Sequence, residues 1–251
     1  VRQYKASECL RHAVELDARL RAESSDSTAV TDELAHSLRL LLPGAAHLPW
    51  DKFEHVCTTY EQLRYATGVV ALGLASAHAV DPADAAVSFR ADGCPADEPM
   101  SHRHAMYALR RRIYALVLRA LRDDAEAMRQ ALASDDALFH EELYTYMIAH
   151  GKTSELLSTP TPFLEDFLQG TPVLLDGQSL ETYERRLRDL LWQWYVRQGE
   201  YLAAAQTLDA LAHTDTYALH LYERIEYLAL AVGNAKSVRQ TAAYDLVGFA
   251  T

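Results

Sequence analysis

Three cysteines, Cys9, Cys57 and Cys94, are spread over 251 residues. Three scattered thiols cannot build a disulfide framework, and an odd count suits a reducing compartment. No signal peptide opens the chain, so a cytosolic or nuclear protein is expected. The longest apolar run, residues 69–80, contains His78 and is too short to span a bilayer. Cations are outnumbered: 24 Lys and Arg stand against 35 Asp and Glu, a net charge of −11. A surface of that sign repels phosphate backbones and argues against general nucleic-acid binding. An alternating strand pattern bounded by hairpin turns is missing as well.

What is present is helical periodicity. About half the residues are apolar and a quarter charged, as in ordinary soluble globular proteins. The length allows a large core and one or two domains. The chain opens on Val1 rather than Met, so it reads as a fragment of a longer protein. Apolar spacing predicts helices over residues 1–21, 31–42, 50–63, 66–80, 83–89, 101–121, 124–132 and 135–150. In the first, Cys9, Leu10, Ala13, Val14, Leu16 and Leu20 form the expected buried face. Residues 23–28 read as a polar loop, and Pro43-Gly44 as a stop. Gly68 and Gly73 lower the propensity of the fourth segment. Small residues there also let neighbours approach closely, so a helix is still expected.

The densest pattern lies in residues 187–232. Leu187, Leu190, Leu191, Trp194 and Tyr195 form one stripe, ended by Gly199 with Arg197 in the last turn. Ala204, Ala205, Leu208 and Leu211 form a second. Leu221, Ile225, Leu228, Ala229 and Val232 form a third, with a stop expected at Gly233-Asn234 and a cut helix beyond it. A short helix is expected at Phe163–Leu168. Short connections make successive helices antiparallel neighbours. Their spacing is too irregular for a strict tetratricopeptide array. The expected fold is all-α, an irregular α-solenoid of stacked antiparallel hairpins, forming one unit over 1–251 with a weak break, if any, around 91–100.

Motifs with catalytic content fail on inspection. Gly151-Lys152-Thr153 resembles the end of a phosphate-binding loop, but Tyr146 stands where that loop needs glycine, and a helix precedes it instead of a strand. His140-Glu141-Glu142 resembles the start of a zinc-protease motif, but Tyr144 occupies the second histidine position. The pairs Cys9/His12 and His55/Cys57 fall short of the four ligands of structural zinc. Neither a nucleophile elbow nor a dinucleotide-binding turn occurs. No catalytic residue, cofactor or metal is expected.

Two features invite a binding role. Residues 101–122 carry Arg103, Arg110, Arg111, Arg112, Arg119 and Arg122 without an acid. They read either as a solvated face or as a dock for an acidic neighbour, with Arg110, Arg111 and Arg112 the candidates. The last helices carry Trp192, Trp194, Tyr201 and Tyr222, which pack as core or anchor a linear peptide. Trp192 and Trp194 lie two apart, about 200° around a helix, so they cannot face one groove.

The words LLWQWYVRQGEYLAAAQTLDALA (190–212) and YERIEYLALAVGNAKS (222–237) resemble the C-terminal helical region of the large scaffold nucleoporins of the nuclear pore inner ring. These are the nucleoporin-155 class of animals and the nucleoporin-170 class of fungi. FEHVCTTYEQLRYATGVVALGLASA (53–77), DDALFHEELYTYMIAHG (135–151) and TPFLEDFL (161–168) agree in order. Residues before Pro43 resemble the family only loosely. The resemblance implies a structural constituent of the nuclear pore complex, at the nuclear envelope, serving nucleocytoplasmic transport. It implies docking by linear segments of linker nucleoporins, including the chain with nucleoporin-98-type repeats. Membrane contact is implied for an N-terminal propeller, not for this region. A generic helical-repeat adaptor, vesicle-coat or tetratricopeptide-like, shares the same physics with other partners.

Overall fold

The structure is a computed structural model that describes residues 2–23, 28–95, 101–122, 124–159, 161–170 and 179–248. Thirteen α-helices and no strand occur among the described residues. The chain divides into two compact units, Val1–Leu143 and Tyr144–Thr251. The polar loop expected at 23–28 lies mostly outside the described residues. The same holds for 96–100, while 91–95 belong to the first unit.

In the first unit α1 (Arg2–Glu23) packs on α2 (Thr28–Leu41). A 3-10 turn, Leu42–His47, then takes in Pro43. Next come α3 (Trp50–Gln62), α4 (Ala66–Val80), α5 (Ala85–Ala91), α6 (His102–Ala120) and α7 (Ala125–Leu132). Helix α8 (Ala137–Ala149) contains the division between units. Helix α4 is the axis of the unit, in contact with α2, α3, α6 and α7. Its glycines explain how. A Cβ on Gly73 would stand 2.3 Å from Val117 Cγ2 of α6. A Cβ on Gly68 would stand 3.0 Å from Tyr60 Cδ2 of α3 and run into the ring of Tyr65, the residue before α4. Both glycines buy close approach at the cost of local helix propensity. The ends of α6 and α7 follow sequence logic: Ser101 Oγ accepts from His104 N, and Asp124 Oδ1 from Ala127 N.

The second unit holds α9 (Thr153–Ser158), α10 (Leu164–Gln169), α11 (Leu180–Gln198), α12 (Tyr201–His213) and α13 (Leu221–Gly248). Gly199 ends α11 at φ 78°, as the sequence predicts. Its stripe is buried at Leu187, Leu190, Leu191 and Tyr195, and that of α12 at Ala204, Ala205, Leu208 and Leu211. One core cluster joins Leu208, Leu211, Ala212, Tyr217, Tyr227 and Ala231, with Trp192 packed against it.

Four expectations need correction. Val14 is exposed and Cys9 and Leu16 are half-buried, so among the described side chains the buried face of α1 is Ala6, Leu10 and Ala13; Leu20 lies outside the described side chains. Helix α9 was not expected. It is a single turn and a half, held by buried Leu156 and Leu157, too short for periodicity to register. Gly233 does not end a helix: α13 runs through it. The stripe Leu221, Ile225, Leu228 and Val232 is exposed, and Tyr227 and Ala231 take the buried side.

Candidate interaction surfaces

The arginines of α6 are mostly spent inside the first unit. Arg110 is 3% exposed and uses its whole fork. Nε donates to Tyr114 Oη at 2.7 Å. Nη1 reaches Asp81 Oδ2 and Asp84 Oδ1, each at 3.2 Å, and Nη2 donates to Asp136 Oδ1 at 2.8 Å. Tyr114 in turn donates to Asp136 Oδ2 at 2.6 Å. Asp81 also accepts from the backbone N–H groups of Ala85 and Ala86, fixing the start of α5. Burial opposes the charge on Arg110, but Tyr114 and Asp136 outweigh it and hold the guanidinium protonated. Burial, then Asp136, pushes the Tyr114 phenol far up, so it serves as a donor.

The neighbouring cations follow suit. Arg111 pairs with Glu142 of α8, Arg119 with Glu61 of α3, and Arg103 with Asp92. Arg112 is exposed, with its Cζ 3.7 Å from the Trp50 ring centroid. Neither a solvated face nor an open dock describes Arg110. It is a buried cross-brace between α5, α6 and α8. Of the three candidate arginines, Arg112 is the exposed one.

The aromatic candidates of the second unit separate as their spacing requires. Trp192 is half-buried on the α12–α13 core, with Nε1 3.4 Å from Asp189 Oδ1. Trp194, also half-buried, has its ring centroid 5.3 Å from that of Tyr195. Tyr201 is half-buried, and Tyr222 is 75% exposed beside exposed Leu221 and Ile225. Beneath them, Tyr227 Oη donates to Asp189 Oδ1 at 2.8 Å and receives Arg185 Nε at 3.3 Å. Tyr195 donates to Glu165 Oε1 at 2.7 Å, and burial followed by that bond pushes its phenol up to about 12. Burial also pushes the Cys57 thiol up to about 12, which leaves it unreactive.

Sequence reasoning missed a groove in the first unit. It has a volume of about 670 Å³ and lies between α1 and α3. From α1 come Gln3, Tyr4, Ala6, Ser7, Leu10, Arg11 and Val14; from α3 come Lys52, His55, Val56, Thr59 and Gln62. Leu41 and Leu48 line it as well. Tyr4 is 68% exposed and Val14 45%. The signal in the sequence is the α1 register 3, 4, 7, 10, 11 and 14, one helical face, on which apolar Val14 reads as core from periodicity alone.

The described residues thus form all-helical units whose polar networks are spent on internal bracing, an architecture without a catalytic constellation to read a function from. The kind of protein follows from its relatives. Residues 1–248 match the family model described as non-repetitive/WGA-negative nucleoporin C-terminal, and the chain belongs to that family. It is 26% identical over 262 residues to the nuclear pore complex protein Nup154 of Drosophila melanogaster, covering 91% of this chain and 18% of that protein. The solved C-terminal domain of Chaetomium thermophilum Nup170 superposes with a TM-score of 0.75 at 27% identity, over 94% of this chain and 42% of that one. The same domain solved as a complex with Nup145N gives 0.71 at 27% identity, over 89% and 44%. The chain therefore falls in the animal nucleoporin-155 and fungal nucleoporin-170 class. Its fold is the irregular α-solenoid expected of that class. It spans less than a fifth of the length of the curated relatives it matches.

Proposed function

We propose that this chain is a scaffold segment of the nuclear pore complex inner ring that docks linear segments of linker nucleoporins. The observation that carries this reading is its likeness to the fungal Nup170 domain that was solved bound to Nup145N. The role needs no catalytic group: neighbours are held at fixed geometry by buried surface, and the binding energy comes from a few anchors. Partner anchors are assigned to Trp194, Tyr201 and Tyr222 in the second unit and Arg112 in the first. Trp192 packs on the α12–α13 core, Arg111 is paired with Glu142 and Arg110 is a buried brace, so these three are not assigned as anchors. The place of work is the nuclear pore at the nuclear envelope, and the partners are nucleoporins rather than nucleic acid or membrane.

Affinity purification of the tagged chain from cells tests this. Recovery of inner-ring and linker nucleoporins is the expected outcome. Recovery of vesicle-coat subunits without pore components would replace it with a generic helical adaptor.

A further inference from the structure

The groove between α1 and α3 has the shape left by a missing third helix. Each wall is one face of a helix, spaced three and four residues apart: 3, 7, 10 and 14 on α1, and 52, 55, 56, 59 and 62 on α3. Along α1 it runs from Gln3 to Val14, roughly 16 Å or three helical turns. The floor is aliphatic, with Leu10, Leu41 and Val56 buried. The rim is cationic: Arg11 and Lys52 line it with His55, and no carboxylate occurs among the described lining residues. Glu8 stands within hydrogen-bond reach of the lining residue Tyr4, with Arg11 also close to that hydroxyl. In a chain of net charge −11, the cations Arg11 and Lys52 still outnumber the neighbouring acid, Glu8.

We infer that the groove receives a short amphipathic helix of a partner protein, with an aliphatic ridge flanked by Asp or Glu. Ridges of such a helix seat between two helical walls, as in other helix-in-groove complexes. Its acids meet Arg11 and Lys52, which steer encounter and set register. Val14 and Tyr4 gain cover on binding. The inference deepens the docking function proposed above by naming one site and the chemistry of its occupant.

The test uses two labelled, helix-stapled peptides of about 14 residues, long enough to span the groove. Both carry Leu at ridge positions; one carries Glu on both flanks and its twin carries Lys. Fluorescence anisotropy is read on the intact chain, on an Arg11→Glu/Lys52→Glu variant and on Val14→Asp. Arg11, Val14 and Lys52 are exposed, so these variants fold, and circular dichroism checks it. The Glu peptide is expected to bind the intact chain about tenfold or more tighter than its twin. The charge-reversed variant inverts that preference, and Val14→Asp weakens both peptides. Equal binding to the intact and charge-reversed chains, or no binding of the Glu peptide, overturns the inference. A concentration-dependent dimer abolished by Val14→Asp assigns the groove to a second copy and also overturns it. So does loss of peptide binding in a longer natural protein, where its own helix fills the groove. None of these results depends on nucleoporin segments, so a failure here is distinct from a failure of the docking function.

Discussion

Arg110 and Asp81 stand 3.2 Å apart with side chains 3% and 1% exposed, a buried ion pair at the junction of α5 and α6. Removing the guanidinium leaves the buried Asp81 charge with only the N–H groups of Ala85 and Ala86 to offset it, at a cost of up to about 3–5 kcal/mol. Arg110→Met is expected to lower the stability of the first unit by that order in urea denaturation. It also takes the cation from Asp136, which is left with the Tyr114 hydroxyl and the Phe139 N–H as donors. Arg110→Lys keeps the charge but loses the fork, so its loss is smaller and still measurable. A change of under about 0.5 kcal/mol, the range of ordinary surface substitutions, would show that Arg110 is not a brace.

Two helical glycines are expected to respond in opposite directions to alanine. At Gly73 the new methyl meets Val117 Cγ2 at 2.3 Å, and a β-branched neighbour in a helix has little rotamer freedom to yield. Gly73→Ala should therefore cost about 1–3 kcal/mol by overpacking. Pairing it with Val117→Ala recovers part of the loss. At Gly233 nothing lies within 4 Å of the new methyl. Gly233→Ala should stabilise by about 0.5–1 kcal/mol through helix propensity alone. Thermal melts of the two single variants and the Gly73 pair check the signs.

His140 is fully buried, with Nε2 2.7 Å from Ser134 O. Burial lowers its proton affinity below the ordinary 6.5, against a partial opposing pull from Ser134, Asp136 and Asp135. The unfolded chain binds that proton more readily than the fold does. The contribution to stability is thus complete above pH 6.5 and is lost as pH falls below 6.5 through the folded value. Denaturation midpoints measured between about pH 7.5 and 5 should decline, and His140→Gln should flatten that decline.

Helix positions were legible because the cues were local. Gly199 marks its own left-handed turn, Ser101 and Asp124 cap helices from the residue before, and the α11 and α12 stripes face each other across a two-residue link. Gly233 misled because a stop glycine and a tolerated one read alike when only about 1 kcal/mol separates Gly from Ala. The α13 stripe was legible as a face but not as a direction. Tyr227 bonds Arg185 and Asp189, and Arg224 donates to Ala212 O, and these contacts turn the other face inward. The role of Arg110 was illegible because its acids lie 26 and 29 residues away. The groove of α1 and α3 escaped for a related reason: periodicity marks an apolar face without showing whether a neighbour covers it.

Isothermal titration of the chain with linker-nucleoporin segments, including one from the nucleoporin-98-type chain, tests most directly whether this scaffold works by docking linear motifs. The expected result is saturable one-to-one binding at micromolar or tighter affinity, about −8 kcal/mol or better. Absence of heat and of saturation for every segment, up to concentrations near 1 mM or about −4 kcal/mol, would contradict it.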